Sequence, residues 1–117
     1  MPSPLNCEQY AAIAKPLLDL RKFLTLPEQS VSMAQTRFVV IKQVYQTTIL
    51  CLDLERLDPQ SRSIVTELHR LIRLLETQLM FLKSARTEAA IALRQQQTLE
   101  HLNHFIQLLE QFDPARS

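Results

Sequence analysis

Glycine is absent from the 117 residues. Two-residue hairpin turns, phosphate-cradling loops and most nucleotide-binding fingerprints need a residue that accepts positive φ or lets the backbone approach closely, so all of them are disfavoured together. Cysteine is scarce. Cys7 and Cys51 are too few for a disulfide framework and have no CxxC spacing, which leads us to expect a reducing compartment and two buried or half-buried thiols. A charge excess is missing as well: thirteen Lys and Arg face twelve Asp and Glu, for a net charge of +1. A protein that tracks a phosphate backbone carries a strongly basic balance, so nucleic acid is not an expected partner. There is no apolar run of about eighteen residues or more, and the opening MPSPLNCEQY has no basic stretch followed by an apolar one. A cytoplasmic protein without membrane insertion is expected.

With glycine gone, proline alone punctuates the chain, at Pro2, Pro4, Pro16, Pro27, Pro59 and Pro114. The clearest start lies at Asp58–Pro59, where the aspartate accepts from free backbone N–H groups and the proline fits the first helical position. From there to Arg86, Ile64, Leu68, Leu71, Leu75, Leu79 and Leu82 recur at spacings of three and four, which predicts one long helix with a buried stripe. Asn6 with Gln9 reads as a capping-box variant for a first helix over about Leu5 to Leu24, whose apolar face is Tyr10, Ile13, Leu17, Leu20 and Leu24. That series keeps phase through Pro16, so a kinked helix is expected rather than two. After a loop at Pro27, Ser32 with Gln35 predicts a second helix over about Met33 to Glu55, with Ala34, Phe38, Ile41, Tyr45, Thr48 and Leu52 inward and Val40, Val44 and Cys51 widening the stripe. Thr87 is a candidate N-cap for a fourth helix ending at Phe112, with Ile91, Leu99, Leu102, Phe105, Ile106, Leu109 and Phe112 at or beside the core; Asp113–Pro114 closes it. With 46% apolar residues the chain has material for one core. Short connections then predict an all-α, up-down antiparallel four-helix bundle, a single domain over residues 1–117 with tails at about 1–5 and 113–117.

Catalytic chemistry is hard to assemble from these residues. His101 and His104 are three apart, and Glu100 and His104 four apart, but the Glu-x-x-His pattern of di-metal bundles fails because Asn103 follows Glu100 at that spacing; a solvated face is the expectation, with no metal or cofactor. His69 invites comparison with the single exposed histidine of four-helix phosphotransfer modules, yet ELHRLIRLL puts Arg70 and Arg73 beside it and offers no glycine to clear room for a partner. Both cysteines sit among apolar residues and no nucleophile and base pair follows from spacing, so an enzyme is not expected.

Surface is what remains. Arg62, His69, Arg70, Arg73, Lys83 and Arg86 give the third helix a basic outer side with Glu67 and Glu76 as its only acids. In LMFLK, Leu79 and Leu82 belong to the buried stripe, so Met80 and Phe81 cannot both point inward and one should flank the core, exposed or half-exposed. Arg62, His69, Arg70, Arg73, Met80, Phe81 and Lys83 together form a candidate protein-binding patch, an ordinary solvated face being the alternative.

The segment MFLKSART, followed by the amphipathic RQQQTLEHLNHFIQLLE, resembles the cyanobacterial PatD family, small helical proteins with a similar FLxxAR stretch after a Leu-rich helix. The resemblance covers the C-terminal half. It implies a non-enzymatic regulator of heterocyst frequency in filamentous species that binds the tubulin-like division protein FtsZ and modulates its assembly. Two other classes stand beside it: a phosphotransfer module using His69, and a self-associating helical adaptor. A monomer or a homodimer is compatible with each.

Overall fold

Three of the four helix starts are set by side chains that accept from free backbone N–H groups. The computed structural model describes residues 3–26 and 31–116, with side chains in the second segment from Met33 onward. Helix α1 (Cys7–Leu24) opens on Asn6, whose side chain accepts from the Gln9 N–H while the Gln9 side chain accepts from the Asn6 N–H. This is the reciprocal capping expected of that pair. The helix runs as one element through Pro16. Leu5, expected to begin the helix and to end a tail, precedes α1 and is only 2% exposed. Just before it, the Ser3 hydroxyl donates to the Phe112 carbonyl near the other end of the chain.

Helix α2 spans Val31–Thr48 and stops short of the expected Glu55. The Pro27 loop and the Ser32 side chain expected to cap this helix lie outside the described residues. No glycine or proline marks its end. Instead the Thr47 and Thr48 hydroxyls both donate to the Val44 carbonyl (3.0 and 2.7 Å), and the Ile49 and Leu50 N–H groups both donate to the Tyr45 carbonyl (2.9 and 3.0 Å). The regular ladder is exhausted there, because side chains and a five-residue step compete for the last carbonyls. Asp53 then accepts from the Glu55 N–H and opens a single 3₁₀ turn, Leu54–Arg56.

Helix α3 (Pro59–Ser84) is capped by Asp58, which accepts from the Ser61 N–H (3.3 Å) and the Ser61 hydroxyl (2.6 Å). These bonds, the hydroxyl's first, hold the Asp58 carboxyl below the usual range. Helix α4 (Glu88–Leu109) is capped by Thr87, which accepts from the Ala90 N–H at 3.0 Å, and it tightens into a 3₁₀ turn at Glu110–Phe112. A last 3₁₀ turn, Pro114–Arg116, packs against α1 rather than trailing away.

The helices form a ring: α1 packs on α2 and α4, and α3 packs on α2 and α4. Neighbours run antiparallel and no strand occurs among the described residues, so the up-down bundle read from the sequence is the fold. Contacts are densest within the α3/α4 and α1/α2 hairpins and sparsest across the α2/α3 seam. At about 1.5 Å per residue α3 is a rod of about 39 Å, nearly the 46 Å long axis of the molecule.

The core follows the predicted stripes with local shifts. On α3, Val65 is fully buried and Ile64 only partly, so the stripe is turned toward Val65 at its start. On α4, Ile91 and Leu99 pack at the edge of the core, and Thr98 lies inside it because its hydroxyl is satisfied by the Arg94 carbonyl at 2.7 Å. Leu52, expected inside α2, is a half-buried residue beyond its end. Both thiols are exposed, against expectation: Cys7 stands at the first residue of α1 and Cys51 just past the end of α2. The Gln78 Oε1 is the only buried side-chain polar atom without a partner among the described residues, and nothing in the structure explains it.

Candidate functional site

The basic patch expected on α3 is divided by the structure into three parts. On the side facing α2, His69 and Arg73 join Lys42, Tyr45 and Leu50 around a groove of about 300 Å³ floored by Ile72. On the outer ridge, Arg62, Met80 and Lys83 are exposed, Met80 at 62%. On the α4 side, Phe81 is 44% exposed with the Arg94 guanidinium 4.6 Å from its ring centroid. That cation–π contact ties Phe81 to its own bundle. Phe81 is the half-exposed member of the Met80/Phe81 pair, as expected, and Met80 points further out.

Charge on this helix is also lower than a residue count suggests. The Arg70 Nε donates to both Glu67 carboxylate oxygens (3.0 and 3.1 Å). This hydrogen bonding pulls the Glu67 carboxyl down and pushes the Arg70 guanidinium up. Lys42 of α2 pairs with Glu76 across the groove. Among the described residues no carboxylate pairs with Arg73.

His69 has a role that spacing did not reveal. Its Nδ1 is hydrogen-bonded to the Tyr45 hydroxyl, and the two rings meet edge to face with centroids 5.6 Å apart. Burial pushes the Tyr45 phenol far above its ordinary value, so the phenol keeps its proton and donates. Burial, and after it the Arg73 charge, holds the His69 imidazole below its ordinary value. A neutral imidazole that accepts at Nδ1 carries its proton on Nε2. Behind this pair the Phe105 ring of α4 lies 6.1 Å from that of Tyr45. The result is a fixed polar wall: the phenolate is disfavoured by burial and the imidazole is already bonded, so neither is an activated nucleophile.

The pair has a pH signature. Because the folded-state pKa of His69 lies below the unfolded value, the unfolded chain takes up its proton first as pH falls, and stability drops below about pH 6.5. For Tyr45 the unfolded phenol ionises first, so stability also drops above about pH 10. We expect denaturant melts to show both shoulders, and His69→Gln to remove the acidic one while leaving the alkaline one. An acid shoulder unchanged in His69→Gln would place its origin elsewhere.

The larger uncovered surface lies on α2. Its only charged residues, Arg37 and Lys42, both lean on neighbours: Arg37 stands 4.8 Å over the Phe23 ring of α1, and Lys42 pairs with Glu76 of α3. Between these two flanking cations the outer face carries no charge, while Met33, Val39 and Val40, and Leu50 just past the helix end, are each 48–54% exposed. A helix apolar on more than one side is normally covered on more than one side. The sequence signal was present: no acid occurs between Val31 and Leu52, and in FVVI only some of the four apolar residues can face one core.

Among the described residues no three His, Cys, Asp or Glu side chains group to hold a metal ion, and no helix is long and apolar enough to cross a membrane.

A family model described as the CRR41 C-terminal domain matches residues 9–110. No curated protein and no solved structure matches the chain. The family match runs through both halves of the chain and overturns the resemblance to PatD, which rested on MFLKSART and the helix after it. FtsZ binding, heterocyst control and the His69 phosphotransfer alternative are withdrawn with it. Here FLKSAR spans the last turn of α3 and the start of its connection to α4.

Proposed function

Because the chain belongs to the CRR41 C-terminal domain family, we propose that it is a non-catalytic protein-binding module that acts in the assembly of a multisubunit complex, as CRR41 relates to assembly of the chloroplast NDH complex. The observation that carries this reading is the acid-free outer face of α2 and the turn after it, with Met33, Val39, Val40 and Leu50 half-exposed. Interfaces place such residues at their centre and charge at the rim. On its own this face is about 27 Å long and 10 Å wide, a few hundred Å² against about 800 Å² per side in a standard interface. The partner's contact therefore extends beyond α2. Two exposed thiols suit a reducing compartment.

The test is to tag the chain, and a Val40→Glu variant, and to separate host extract by size. The unaltered chain should migrate with NDH subunits, far above its own 13.6 kDa. Val40→Glu should elute alone with an unchanged melting curve, since an exposed substitution costs within about 0.5 kcal/mol. Migration of the unaltered chain at its own mass, or co-migration of Val40→Glu, would refute the proposal.

A further inference from the structure

We propose that the groove between α2 and α3 seats an acidic amphipathic helix of the partner protein, its apolar side chains over Tyr45, Ile72 and Leu50 and a carboxylate on Arg73. This rests on the protein-binding reading and names the chemistry of what is bound.

Charge complementarity selects an acidic occupant. Lys42 and Glu76 satisfy each other on the rim, His69 is held neutral, and Arg70, next to His69 and Arg73 on α3, is engaged by Glu67. Arg73 is left as the groove's cation without a carboxylate among the described residues, and the groove's one acid is already paired. A guanidinium beside a low-dielectric floor binds a carboxylate through two parallel hydrogen bonds. The Nε2–H of His69 is a further donor on the same wall. A basic segment would meet only Arg73 and find no free acid. A doubly charged phosphate would find one free cation where such ligands are usually held by a cluster.

Shape selects a helix. The groove runs parallel to two antiparallel helices whose backbone groups are already bonded, so an extended peptide would gain no main-chain partners there. A helix satisfies its own backbone and brings only side chains. On the α2 wall Lys42, Gln46 and Leu50 stand four residues apart, the spacing of one helical face. From Lys42 to Leu50 is about 12 Å, room for about two turns of a partner helix. The groove also adjoins the uncharged face of α2 and enlarges it toward the area a stable interface needs.

The experiment pans a display library of sixteen-residue helical peptides, randomised at every third or fourth position, against the full chain. Survivors should carry an apolar stripe with Asp or Glu on its flank. They should bind Arg73→Glu at least tenfold more weakly and Arg73→Lys to an intermediate degree, and lose affinity as salt rises. Amide shifts on binding should centre on Tyr45, Leu50 and Ile72. Arg73 is exposed, so melting curves of both variants should match the unaltered chain. Survivors with basic flanks, equal affinity for Arg73→Glu, shifts centred on Met33 and Val40 alone, or no survivors at all would overturn the proposal. The last two outcomes leave the co-migration with NDH subunits untouched, and loss of co-migration alone leaves peptide selection untouched, so the two readings fail separately.

Discussion

Replacing Phe105 by alanine is expected to lower the stability of the bundle by about 3–5 kcal/mol, the range for a fully buried aromatic whose cavity cannot collapse. Phe105 is 0% exposed and among the largest wholly buried side chains. It lies opposite Tyr45, on α2, so it packs across the ring of helices rather than only along one seam. Small domains have about 5–15 kcal/mol in hand, so this one change would consume a large share of it. The measurement is urea denaturation followed by helical dichroism. A loss under about 1 kcal/mol would mean that the core relaxes around the missing ring. Tyr45 loses its backing in the same variant, so the acidic shoulder assigned to His69 should shrink with it.

Leu75→Ala should cost about 2–5 kcal/mol. Leu75 is 0% exposed midway along α3, on the stripe with Leu68, Leu71 and Leu79. The informative control is Ile64→Ala on the same helix. Ile64 is only partly buried because the stripe turns toward Val65 at its start, and truncation there should cost clearly less. Equal losses at the two positions would mean that the face of α3 has been assigned with the wrong phase.

Local chemistry was the legible part of the fold. Asn6 with Gln9, Asp58 with Pro59, and Thr87 cap their helices as their identities dictate, because a cap needs only neighbours within one turn. The end of α2 was not legible, since no breaker residue marks it and the competing bonds come from two threonine hydroxyls and a five-residue step. Burial of Val65 in place of Ile64 depends on where α2 and α4 sit around α3, which spacing along one helix does not contain. The site was legible only as residue types. His69 and Arg73 stood out, but the partner that defines His69 lies twenty-four residues away on another helix. Arg70 was counted as a free charge, although Glu67, one turn before it, neutralises it. The α2 face was not legible as a site because its signal is an absence of charge rather than a residue type.

The uneven packing of the four seams has a kinetic consequence. Each of the two dense hairpins joins helices adjacent in sequence, and α3 and α4 are separated by only three residues, 85–87. Such contacts close small loops at low entropic cost and form early. Docking of one preformed hairpin on the other comes later, and the sparse α2/α3 junction is the place where the two halves part most readily in transient sub-global openings. The binding groove lies along that junction. A ligand that bridges α2 and α3 would therefore act as a clamp, slowing amide exchange in both halves of the molecule from a single strip of contact.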